Sequence, residues 1–100
     1  MNSIELIIDN KISNIDIYIN VIKKTIIVNN KEQKISEEKI DDLLRIIRTW
    51  KNEYNNPNVI DAESFFIKIN TTDGTEIIKG SGEYPKDYIL LKEWISGFNE

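Results

Sequence analysis

The sequence predicts an α+β domain with the order βββαββα. It consists of a mostly antiparallel sheet of about five strands and two helices packed on one face. Three observations carry this. The first third alternates with a period of two, as in Ile15, Ile17 and Ile19 against Asp16, Tyr18 and Asn20. A stripe at helical spacing, Ile40, Leu43, Leu44 and Ile47, follows a capping serine. Two apolar runs are then joined through Thr71-Thr72-Asp73-Gly74, and a second helical stripe follows Pro85.

In chain order, Ser3 to Asn10 alternates around Ile4, Leu6 and Ile8, with Glu5, Ile7 and Asp9 opposite. Asn10-Lys11 reads as a turn. Ile12 to Asn20 is the second strand and Thr25-Ile26-Ile27-Val28 the third. Short joints between short strands imply an antiparallel meander. Asn29-Asn30-Lys31 is a turn, and Glu32 to Ile35 either extends the sheet or leads into the helix.

Ser36 suits an N-cap, because its hydroxyl accepts from an orphan amide of the first turn. Glu37 and Glu38 follow where the helix dipole favours negative charge. Trp50 and Tyr54 continue the stripe, so the helix is expected to run to about Tyr54, before Asn55-Asn56-Pro57-Asn58. Asp41 and Arg45, four apart, are expected to pair on its outside.

In the next strand Phe65, Ile67 and Ile69 face one way, and Phe66, Lys68 and Asn70 the other. Gly74 tolerates positive φ, which marks the hairpin turn. A two-residue Asp73-Gly74 loop sets Lys68 opposite Lys79, an unfavourable pair. A three-residue loop pairing Thr71 with Thr75 and Ile69 with Ile77 is therefore preferred, and whether Ile77 or Ile78 turns inward stays open. Pro85 suits the first helical position. Tyr88, Leu91, Trp94, Ile95 and Phe98 then share a face.

The chain has one hundred residues, 40% of them hydrophobic, enough for a single domain over residues 1–100 with one core. Its formal charge of −4 gives no long-range attraction to nucleic acid or to anionic membranes. There is no Cys and no His, which removes disulfides, thiol nucleophiles, zinc fingers and every Ser-His or Cys-His arrangement. Absence of Cys fits a reducing compartment. Met1-Asn2-Ser3-Ile4-Glu5 lacks a signal-peptide pattern, so the expected location is the cytoplasm.

The second half, with Trp50, Tyr54, Phe65 to Ile69, Asp73-Gly74, Gly80-Ser81-Gly82, Tyr84-Pro85 and Leu91 to Ile95, resembles small uncharacterised bacterial families. Those families share a Trp/Tyr helix, an Asp-Gly hairpin, a Gly-rich step and a Pro-initiated closing helix. The resemblance implies an α+β fold and brings no activity or ligand.

Five sets of residues are candidate sites. Gly80-Ser81-Gly82 lacks both the P-loop lysine and the third glycine of a dinucleotide fingerprint, so it reads as a flexible joint. Asp41 and Asp42 diverge on a helix. Asp61 and Glu63 share a side if extended, but two carboxylates make a poor cage for a metal. Trp50, Tyr54, Tyr88 and Trp94 lie on apolar stripes and read as core.

The remaining set is the second face of the sheet: Ile7, Tyr18, Ile27, Phe66, Lys68 and Ile78, among Glu5, Asp9 and Asp16. Apolar groups ringed by charge on an open sheet face suggest a partner surface. The sequence therefore predicts a non-enzymatic domain that binds another protein or itself, one form being a small acidic inhibitor- or immunity-type partner. It assigns no catalytic, cofactor-binding or metal-ligating residues. The alternative is a small-ligand binder or an enzyme, with a pocket between the helices and the sheet.

Overall fold

A computed structural model describes residues 1–98. Its elements are β1 (Ser3–Asp9), β2 (Asn14–Asn20), β3 (Thr25–Val28), β4 (Lys31–Lys34), α1 (Glu37–Ile47), β5 (Glu53–Asn55), β6 (Ser64–Thr71), β7 (Gly74–Ser81) and α2 (Tyr88–Ser96). The strands form one sheet in the order β4-β3-β2-β1-β6-β7-β5. All neighbours are antiparallel except β5 and β7, which run parallel. The α+β class holds, with seven strands in place of about five.

The two added strands sit at the sheet edges, and neither has an apolar pattern of its own; β4 is the sheet extension that Glu32 to Ile35 left open. β4 is Lys-Glu-Gln-Lys and fully exposed; it joins the sheet by pairing with β3. β5 lies where the first helix was expected to continue. That helix stops at Ile47, and a tightened bond from Trp50 N–H to the Ile47 carbonyl (3.0 Å) turns the chain. Tyr54 still reaches the core, but from β5, and its hydroxyl accepts from the Lys51 amide at 2.8 Å. Four-residue spacing fits a helix and also fits this turn into a strand.

The β6–β7 register differs from both versions considered. Thr71 pairs with Gly74, so the loop is Thr72-Asp73, and Ile67 lies opposite Ile78 and Lys68 opposite Ile77. The Thr71 hydroxyl sets this turn: it accepts from the Asp73 amide at 3.2 Å and donates to the Gly74 carbonyl at 3.0 Å. Gly74 takes a φ of 144° as the strand resumes.

At the helix ends, Ser36 caps α1 by accepting from the Lys39 amide at 3.1 Å, as expected. Arg45 pairs with Asp42, not Asp41. α2 begins at Tyr88 and not at Pro85; the Tyr88 amide donates back to the Pro85 carbonyl, forming a lead-in turn.

Ile4, Leu6, Ile8, Ile17, Ile19, Ile26, Phe65, Ile67 and Ile78 form the inner face of the sheet. They share one buried cluster with Ile40, Leu43 and Ile47 of α1 and Leu91, Trp94 and Ile95 of α2. The smallest extent, 19 Å, matches two layers.

Candidate interaction face

The cross-strand pairings place the outward side chains in rows. One row crosses the sheet as Glu32, Ile27, Tyr18, Glu5, Lys68 and Ile77, from β4 to β7. The next reads Asp16, Ile7, Phe66, Lys79 and Glu53, from β2 to β5. In both, apolar and charged groups share a surface outside the buried cluster.

Tyr18 (40% exposed), Ile7 (39%) and Ile77 (41%) stand open to solvent. Ile27, Phe66 and Lys68 are half-buried by their neighbours. Lys68 Nζ lies 4.0 Å from Glu5 Oε2. Five of the six residues singled out in the sequence thus occupy this face. The sixth, Ile78, is corrected: it is 2% exposed and belongs to the core, while Ile77 takes its place outside. A one-residue change of register exchanges the two faces of a strand. Lys79 and Glu53 also belong to this face, and their places depend on β5 and on the β6–β7 register, which no periodicity in the sequence marks.

The sheet edges are poor docking sites by comparison. An edge strand recruits another chain through free backbone groups when it is long, flat and apolar. β4 is four residues of charged and amide side chains, and β5 is three residues long.

The other candidate sets come apart or prove to be structural. Asp61 pairs with Lys11 at 2.8 Å, whereas Glu63 turns toward α2. Glu63 accepts from Lys92 Nζ (2.9 and 3.0 Å), from Asn10 Nδ2 (3.1 Å) and from the Tyr88 hydroxyl. The Tyr84 hydroxyl donates to the Glu63 carbonyl at 2.6 Å. Burial alone would raise the Glu63 carboxyl; the hydrogen bonds from Tyr88, Lys92 and Asn10, with the Lys92 charge, outweigh it and hold it below its ordinary value. Burial, then the bond to Glu63 and its charge, push the Tyr88 phenol well up. A carboxylate that sheds its proton so readily and a phenol that keeps it so firmly are poorly matched to proton transfer near neutrality. The cluster fastens the β1–β2 turn and the segment before β6 to α2.

Gly80 and Gly82 serve packing. A Cβ at Gly80 would collide with the Phe65 ring, and one at Gly82 (φ 78°) would lie 2.5 Å from the Asn56 carbonyl oxygen. Trp50, Tyr54, Tyr84 and Tyr88 gather around Phe65 with ring centroids 5.1–6.3 Å from it. Among the described residues there is no group of three or more acidic side chains placed to hold a metal ion, and no helix is long and apolar enough to cross a membrane.

A groove of about 540 Å³ runs between the end of α1 and the β6–β7 hairpin, over Leu44, Ile47 and Ile69, with Arg48, Asp73 and Glu76 among the polar groups on its walls. No family model matches the chain, nor does any curated protein or solved structure.

Proposed function

We propose that this chain is a small, non-enzymatic interaction domain that binds a protein surface through the bare face of its sheet, in the cytoplasm. The observation that carries this reading is the row-wise exposure of Ile7, Tyr18 and Ile77 around Phe66 on the face that α1 and α2, packed against the other side, leave open. A sheet face meant only for water alternates to polar side chains, as the ends of these strands do at Asp9, Asn14, Asn20 and Asn70. The middle of the face keeps its apolar groups instead. The short, polar edges direct association to the face.

Replacing Phe66 with Asp tests the reading. Circular dichroism should retain the native spectrum, since the side chain lies outside the buried cluster. Light scattering of the pure protein and capture experiments from its native cells should show a lost association. Unchanged association in every assay would overturn the reading.

A second reading places a small ligand in the groove beside the hairpin, supported by its size and by Arg48 above an apolar floor. It ranks lower because Thr71 on its wall is committed to the turn. Ligand-induced NMR shifts at Leu44 and Ile69, with none at Ile7 or Tyr18, would favour it.

A further inference from the structure

The geometry points to a second copy of this chain as the partner, docked face to face about a two-fold axis parallel to the strands and lying over the β1–β6 seam. This rests on the interaction reading above and names its partner.

Registration across the seam supports this partner. Across the seam Glu5 stands beside Lys68, and Ile7 beside Phe66. One strand further out on either side, Tyr18 matches Ile77 in the first row, and Asp16 matches Lys79 in the second. Each position is thus mirrored across the seam by its complement: acid by base, apolar by apolar. Beyond these rows the mirrored positions are polar, Ser3 with Asn70 and Asn20 with Thr75.

A two-fold axis along the seam lays every position over its mirror position in the other copy. Glu5 then meets the partner's Lys68, and Asp16 meets the partner's Lys79. Ile7 meets the partner's Phe66, and Tyr18 meets the partner's Ile77. Symmetry repeats each contact.

The other in-plane axis, perpendicular to the strands and between the two rows, fails on the same face. It sets Glu5 over the partner's Ile7, Tyr18 over the partner's Asp16, and Lys79 over the partner's Ile77. That arrangement desolvates charges without pairing them, which is strongly unfavourable. The pattern therefore selects one axis. It leaves the strands of the two copies nearly aligned, inside the range of about 30° that packed sheets keep.

The central strands β2, β1, β6 and β7 span about 20 Å across and roughly 24 Å along, on the order of 450 Å² per copy. A stable interface buries about 800 Å² per partner, so this dimer is weak and reversible.

Sedimentation velocity over a range from about 10 μM to about 1 mM reads it. The wild type should move toward twice the chain mass as concentration rises. Asp16→Lys and Lys79→Glu should each stay monomeric, because each homodimer would hold two like-charge contacts. Mixed in equal amounts, the two variants should associate, since every contact in the mixed pair again joins opposite charges. Both positions are exposed, and circular dichroism verifies that each variant is folded.

A wild type that stays monomeric throughout the range overturns the proposal, as does a mixture no more associated than its components, or single variants that dimerise like the wild type. The broader reading is separable: if the wild type is monomeric but Phe66→Asp still abolishes capture of a different protein, the second-copy proposal falls and the interaction face stands. If neither association exists, both fall.

Discussion

Trp94 donates its indole N–H to the carbonyl of Lys39 at 2.9 Å, tying α2 to the first turn of α1. The other tryptophan has no such bond: Trp50 Nε1 is buried without a partner among the described residues. The two indoles therefore predict opposite responses to the same substitution. Trp94→Phe removes a partly buried bond between the two helices and should cost about 1–2 kcal/mol in urea denaturation, the lost bond together with lost packing. Trp50→Phe removes an unsatisfied donor, so the relief offsets part of the lost packing and the net cost should be smaller, about 1 kcal/mol or less.

Gly80 lies under the Phe65 ring, where an added Cβ would collide with the ring and also sit 3.1 Å from the Glu83 carbonyl oxygen. Phe65 is held by four other aromatic rings and cannot swing away freely. Gly80→Ala should destabilise by about 1–3 kcal/mol, the usual cost of overpacking. Thermal unfolding followed by circular dichroism checks this; a variant as stable as the wild type would mean the ring stack yields without strain.

The Glu63 cluster predicts a pH dependence. The folded state lowers the carboxyl below its ordinary value of 4.5, so the stabilisation is complete above that value and is lost as pH falls through the lower folded value. Glu63→Gln should cost about 1–2 kcal/mol at pH 7, where charge-assisted bonds from Lys92 and Tyr88 are lost. Its deficit relative to wild type should shrink when urea denaturation is repeated at about pH 3. Tyr88 acts at the other end. Its phenol is raised in the folded state, so its contribution is present below its ordinary value of 10.0 and is lost as pH climbs above that. Phenolate absorbance should show Tyr88 ionising only as the protein unfolds, an event that Tyr88→Phe removes.

Two adjacent phenylalanines face opposite sides of β6. Phe65 is fully buried and Phe66 is half-buried on the bare face. Phe65→Ala should cost about 3–5 kcal/mol, as for a large side chain removed from a core. Phe66→Ala should cost about 1 kcal/mol or less, the scale of a strand-surface substitution. Equal costs at the two positions would contradict the facing of this strand.

Elements with an internal period were legible in the chain: β1, β2, β3 and the stripes of both helices carry their own alternation or spacing. Five members of the bare face were legible for the same reason, since knowing which side of β1, β2, β3 and β6 is buried leaves Ile7, Tyr18, Ile27, Phe66 and Lys68 on the other. β4 was legible only as one alternative for Glu32 to Ile35, and β5 not at all, because their places come from the neighbours they pair with and not from their residues. The slip from Ile78 to Ile77 has a local cause. The Asp-Gly pair drew the turn toward Gly74, while the Thr71 hydroxyl closes it one residue earlier. The partners of the Glu63 carboxylate lie 25 to 53 residues away, and no spacing encodes them.

The most direct test of the bare face as a binding surface is site-specific photocrosslinking in native cells. A photoreactive phenylalanine analogue is placed at Tyr18, and in a separate variant at Ile89, which is 63% exposed on α2. Discrete protein adducts are expected from position 18 and none from position 89. Adducts from position 89 alone, or none from position 18, would contradict a binding role for this face.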